Sequence, residues 1–177
     1  MSTRPAYRLR VSTRYLAPVE DVWAQKSDPH AIMAEFPPWV PFRINRPADL
    51  LSAWADGAHS VRSPARIGPI PWEVQVRLLE PGRAFEDRGA SKLFSLFVHT
   101  HTLEPTRDGT RYLDDLWFTP TFAPELVART VRRVFVARHR RSARVLLADP
   151  QSVGHAVLRH VLEDELVPEH ITTPPAT

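Results

Sequence analysis

"LFSLFVHTHTLEPTRDGTRYLDDLWFTP", residues 93–120, is the stretch on which the fold turns. Both halves alternate in the manner of strands, and Asp108-Gly109 between them is a strong tight-turn pair, so the two strands are expected to be direct hairpin neighbours. His99 and His101 share one face of the first strand. The second strand offers that face either Tyr112, Asp114, Leu116 and Phe118, or Leu113, Asp115 and Trp117.

Upstream, "HSVRSPARIG" and "IPWEVQVRLLE" continue the strand pattern, with Trp72, Val74, Val76 and Leu78 on one face. "PGR" at 81–83 is a turn, and "AFEDRG" starts the return strand. Near the amino end, "YRLRVSTRYL" puts Tyr7, Leu9 and Val11 on one side of a first strand. "APVEDVWAQKSDPHAIMAEF" then reads as two short helices, the second capped by Ser27 or Asp28 with Pro29 in its first turn. "FPPWVPFRIN" is too rich in proline for a central strand, and Leu50 to Gly57 reads as irregular.

Downstream, "PELVARTVRRVFVARHRRSARVLLADP" is the one long helix, with Val127, Val131, Val134, Phe135, Ser142 and Val145 as its apolar stripe. Arg129, Arg133, Arg140 and Arg144 stand opposite, whereas Arg138 falls inside the stripe. A short amphipathic helix is expected within residues 150–167, followed by a flexible tail at 168–177. The main domain is thus expected over residues 6–149.

With 177 residues, the chain is large enough for one domain with a real core, or with a core hollowed by a pocket. The absence of cysteine excludes disulfides, thiolate nucleophiles and Cys metal sites together. No apolar run reaches a signal peptide or a membrane span, so a cytoplasmic location is the expectation. The six glycines are too scattered for a phosphate or dinucleotide loop, and no G-x-S-x-G elbow occurs.

Many antiparallel strands and one late helix imply an α+β fold in which a curved antiparallel sheet wraps a long C-terminal helix, with two short helices after the first strand. One helix cannot fill the concavity of such a sheet, and the remaining volume suits an apolar ligand. In this order of parts the chain resembles the START-like superfamily, or SRPBCC, the helix-grip fold of lipid-transfer domains, aromatic polyketide cyclases and pollen allergens. The likeness is nearest to its largely uncharacterised bacterial ligand-binding branch. It rests on "PVEDVWA", "PIPWEVQV", "FED", "LFSLFVHTHTLEP" and "GTRYLDDLWFTP", over about residues 7–149. In that family the last two stretches carry H-x-H, then G-T and D-x-V-x-Y, matched here by His99, His101, Gly109, Thr110, Asp114, Leu116 and Phe118. Phe118 departs from the family's tyrosine.

The resemblance implies noncovalent binding of a small apolar or amphipathic molecule, with an anionic head group as one option. Candidate lining residues are Trp72, Phe85, Phe97, His99, Trp117, Phe135 and Arg138. A cyclase or dehydratase would use His99, His101 and Asp114 as its acid–base group. No cofactor is expected. Two histidines do not make a metal site, and spacing fixes no third ligand, so no metal is expected either. Arg138 needs a counter-charge, either a ligand anion or an acid on the sheet such as Glu73, Asp87 or Asp115. Nucleic-acid binding by the arginine face is the weakest alternative, because the net charge is only +3 and the arginines are interleaved with core-facing valines.

Overall fold

The computed structural model describes residues 5–55 and 57–161. The elements are β1 (Ala6–Tyr15), α1 (Val19–Ser27), α2 (Pro29–Glu35), β2 (Phe42–Ile44), α3 (Pro47–Ala55), β3 (Ser60–Ile67), β4 (Ile70–Glu80), β5 (Ala84–Ser91), β6 (Phe94–Thr106), β7 (Gly109–Pro120), α4 (Pro124–Leu146) and β8 (His155–Val161). The strands form one antiparallel sheet in the order β2-β3-β4-β5-β6-β7-β1-β8. The expected hairpin joins β6 to β7, but its turn is Arg107-Asp108, one residue before the expected Asp108-Gly109 pair, with Thr106 opposite Gly109 and His101 opposite Asp114. No helix among the described residues is long and apolar enough to cross a membrane.

Alternation chooses the face that α4 covers. Tyr7, Leu9 and Val11 of β1 and Leu116 and Phe118 of β7 are buried and pack with Ala128, Val131, Val134 and Phe135 of α4. Each large side chain so buried is worth roughly 1.5–3 kcal/mol. A second cluster, Leu50, Val76 and Phe85, packs with Trp23 and Trp54 and holds α1 and α3 against the other side of the sheet's concavity. Gly89 allows β5 to lie beneath the Trp72 indole, since a Cβ there would collide with the Trp72 ring and the Glu73 carbonyl.

Three sequence readings are corrected. Leu50 to Gly57 is not irregular, because α3 runs through Ala55 and starts at Pro47, a residue suited to a first helical turn. The helix expected within 150–167 is replaced by β8, while residues 162–177, including the expected tail, lie outside the described residues. The outer edge of β1 carries backbone groups that need partners, and β8 supplies them with Leu158 opposite Leu9 and Ala156 opposite Val11. On α4 the buried stripe is rotated, so that Ala128, His139 and Leu146 are buried and Val145 is 65% exposed.

Candidate functional site

A cavity of about 480 Å³ lies between the concave sheet face, α4 and the segment from α2 to α3. Its wall is mainly apolar, with Trp72, Val76, Phe85, Phe97, Val131 and Phe135 among the contributors. The ionisable side chains in the wall are Asp87 of β5, His99 of β6 and Arg138 of α4. A mainly apolar pocket with a few polar groups at one place is the usual form of a small-molecule site.

Behind that polar patch stands a buried network. The register sets Asp87 opposite His99 and His101 opposite Asp114, so alternation brings four ionisable groups to one face. The nearest Asp87 oxygen lies 3.1 Å from His101 Nε2 and 3.6 Å from His99 Nδ1. His99 Nε2 is 3.0 Å from Asp114 Oδ1, within ion-pair reach although off hydrogen-bond alignment. His101 Nδ1 lies 2.6 Å from the Tyr112 hydroxyl, which donates to Asp114 Oδ1 at 2.5 Å. The other Asp114 oxygen lies 3.0 Å from His139 Nε2, while His139 Nδ1 faces the Thr13 hydroxyl at 2.8 Å. Asp114 only accepts, so His139 Nε2 donates to it and, in the neutral ring, Nδ1 accepts the Thr13 hydroxyl proton, while Thr13 itself accepts from the Gly154 amide. The His101 ring stacks on Phe85 at 3.9 Å, and Phe135 meets His99 edge to face at 5.0 Å.

Burial raises the Asp114 carboxyl, but the His99 charge and the neighbouring His101 and His139 rings outweigh it and hold it well below the usual carboxylate range. The Asp87 carboxyl, raised by burial, is likewise pulled down by hydrogen bonds from His101 and His99. Burial lowers His99, yet Asp114 and Asp87 more than compensate and raise it. In His139 burial prevails over Asp114, and the ring is held neutral more readily than a free imidazole.

Arg138 reaches a different partner from those expected. Its guanidinium lies 3.5 Å from Glu35 of α2, not against Glu73, Asp87 or Asp115, and sits between the Phe36 and Phe135 rings at 4.9 Å from each. Glu35 also receives Lys26 Nζ at 2.8 Å, and Lys26 further donates to Ser142 at 2.6 Å. Two cations therefore share one carboxylate, and Arg138 Nε has no hydrogen-bond partner among the described residues. Burial favours the neutral form of Glu35, but Lys26 and Arg138 pull its carboxyl down instead.

Of the residues singled out from sequence, Trp72, Phe85, Phe97, His99, Phe135 and Arg138 line the cavity. His101 and Asp114 stand behind His99. Trp117 does not join them; it points to the outer face and lies under the Arg8 guanidinium at 4.6 Å, because β7 presents Asp114, Leu116 and Phe118 inward. His139, Thr13, Lys26 and Glu35 are not among the sequence candidates, and Tyr112, which alternation puts on the Asp114 face, carries no role there. Nothing in the spacing of Lys26 and Glu35 reveals that α1 and α2 meet α4 there. Arg129, Arg133, Arg140 and Arg144 are exposed on α4, away from the cavity.

A family model described as "Domain of unknown function (DUF8410)" matches residues 13–146. No curated protein matches the sequence. Zhui aromatase/cyclase from Streptomyces sp. R1128 is similar in structure, with a TM-score of 0.57 at 17% identity over 79% of this chain and 96% of that one. Protein CV1439 from Chromobacterium violaceum is similar with a TM-score of 0.58 at 16% identity, over 80% and 99%. DynU16, from the dynemicin biosynthetic locus, is similar with a TM-score of 0.54 at 16% identity over 78% of this chain, which spans only 46% of that larger one. At these identities the likeness establishes the helix-grip fold.

Proposed function

The chain belongs to the DUF8410 family, and we propose that it holds a small amphipathic molecule noncovalently in the cavity between sheet and α4. The observation that carries this reading is the cavity itself, about 480 Å³, apolar over most of its wall and ionisable only at Asp87, His99 and Arg138. The apolar body of the ligand packs on Trp72, Phe97 and Val131, and its oxygen-bearing end turns to Arg138. That guanidinium suits the role because Lys26 already holds Glu35, which leaves Arg138 with donor capacity to spare.

Titration with a fatty acid and its matching alcohol, alongside native mass spectrometry of gently purified protein, tests the proposal. Val131→Phe adds bulk to the cavity wall and is expected to weaken both probes, at a stability cost no larger than the ~1–3 kcal/mol of an overpacked core site. Arg138→Met is expected to weaken the acid by ~1.5–3 kcal/mol, the worth of a hydrogen bond to a charged group, and to spare the alcohol. Its cost in stability should stay below the ~3–5 kcal/mol of an isolated broken pair, because Glu35 keeps Lys26. Absence of binding by either probe would sink the reading, and equal losses for acid and alcohol would remove the head-group role.

A second reading is favoured by one contact, His99 in the cavity wall with Nε2 3.0 Å from the buried Asp114. A ring so oriented is able to move a proton at carbon next to a carbonyl, as in a cyclase or dehydratase. Turnover of an enolisable polyketide-like substrate, lost in His99→Gln while probe binding persists, would promote this reading over simple binding.

A further inference from the structure

We propose that Asp87, His99 and His101 form a site for one divalent first-row transition-metal ion, with an open coordination position toward the cavity. Sequence spacing offers only the two histidines; the fold supplies the third ligand from β5. One ligand atom of each residue lies within 4.8 Å of the other two. The separations of 3.1 Å and 3.6 Å from the Asp87 oxygen to His101 Nε2 and His99 Nδ1 bracket the ~3.3 Å edge of a tetrahedron built on bonds of ~2.0 Å.

The partners behind each ring suit ligation through the nitrogens that face Asp87. Asp114, as a carboxylate, only accepts, so an ion on His99 Nδ1 leaves the Nε2 proton toward it at 3.0 Å, within ion-pair reach. Tyr112 spends its own proton on Asp114, so it can only accept from His101 Nδ1, which must be an N–H as well. In the neutral rings this turns the lone pairs of His99 Nδ1 and His101 Nε2 toward Asp87. Without metal, protons on these two nitrogens bridge to Asp87; an ion bound there takes their place. The partners on the far nitrogens are those that orient and strengthen histidine ligands in metal sites, a carboxylate for His99 and a tyrosine hydroxyl for His101.

Asp87 and His99 both line the cavity, and the Asp87 side chain is one quarter exposed, so the ion would meet whatever the cavity holds. Two histidines and one carboxylate with a free position suit Zn(II) or Fe(II). An oxygen donor, water or a cavity ligand, takes that position. The proposal is independent of the cavity ligand and is tested without one.

The test uses the full chain, purified with chelator, desalted and titrated with Zn(II) alone, then with Co(II) as a spectroscopic substitute. One equivalent of Zn(II) per chain retained through gel filtration and a rise in Tm are expected, together with visible Co(II) bands of a low-coordinate site. Asp87→Asn, close in shape to the native residue, should abolish all three. Tyr112→Phe should keep the site but weaken it ~10–100-fold, the usual effect of losing a partner behind a ligand. His160→Gln, an exposed histidine on β8, should bind as the native chain does. If Asp87→Asn unfolds, Co(II)-shifted ring resonances of His99 and His101 in the native chain locate the ion without it. No stoichiometric Zn(II) at saturation, or binding that survives in folded Asp87→Asn, would overturn the proposal and leave the three groups sharing protons only.

Discussion

His139 shows how one buried ring ties pH to stability. Asp114 and Tyr112 of β7, Thr13 of β1, Lys26 of α1 and Arg138 of its own helix surround it, and burial holds its pKa below the 6.5 of a free imidazole. A group depressed in the folded state contributes stability that is present above the unfolded value and lost as pH falls toward the folded one. In the window that opens below pH 6.5, one such site costs at most ~1.4 kcal/mol per pH unit. The buried carboxylates titrate at lower pH, while His99, raised in the fold, acts in the opposite sense, so the His139 share is read by comparing the native chain with a His139 variant. As pH falls across this window, the native chain is expected to lose denaturant stability relative to His139→Gln, which keeps a donor for Asp114 and takes up no proton. Equal slopes would assign the acid limb elsewhere. The inward residues of a strand are legible from alternation alone, which is why His99, His101 and Asp114 stood out. Glu35 and Lys26 meet Arg138 only through the packing of three helices, and no local pattern in the chain carries that information.

Among the elements, the hairpin β6–β7 is legible because Asp108-Gly109 marks a reversal to within one residue, and α4 because 23 residues give its period time to show. β8 is not. Seven residues with apolar Ala156 and Leu158 fit a helical stripe as well as an alternating strand, and what decides is the vacant side of β1. The matched family region ends at residue 146, before this strand begins. A chain stopped after Asp149 would lose the packing of Ala156 and Leu158 on the core and expose the full backbone ladder of β1. It is expected to be less stable by a few kcal/mol, on the order of one or two buried aliphatic side chains, and to self-associate through the open ladder. Sedimentation velocity and urea unfolding check both; a monomer of native stability would show that β8 is dispensable.

At the scale of the whole molecule, connectivity divides the sheet. β3 to β7 pair each with its successor in the chain, but β1 pairs with β7 and β8, so that Leu9 meets Leu116 and Leu158. Closing such long loops is costly before the contacts form, so the β3–β7 meander is expected to lead folding and β1 to join late. Val98→Ala in β6 should then slow refolding, whereas Val11→Ala in β1 should mainly speed unfolding, both sites being buried. Stopped-flow measurements with the reverse partition would place β1 in the nucleus. During synthesis the same connectivity acts on a clock. β1 leaves the ribosome first, yet its partner β7 starts about 90 residues later, which at ~5–20 residues per second is a wait of roughly 5–20 s. For that interval Tyr7, Leu9, Val11 and Tyr15 form an apolar row without a cover, and the nascent chain is a natural client for whatever chaperone waits at the exit tunnel.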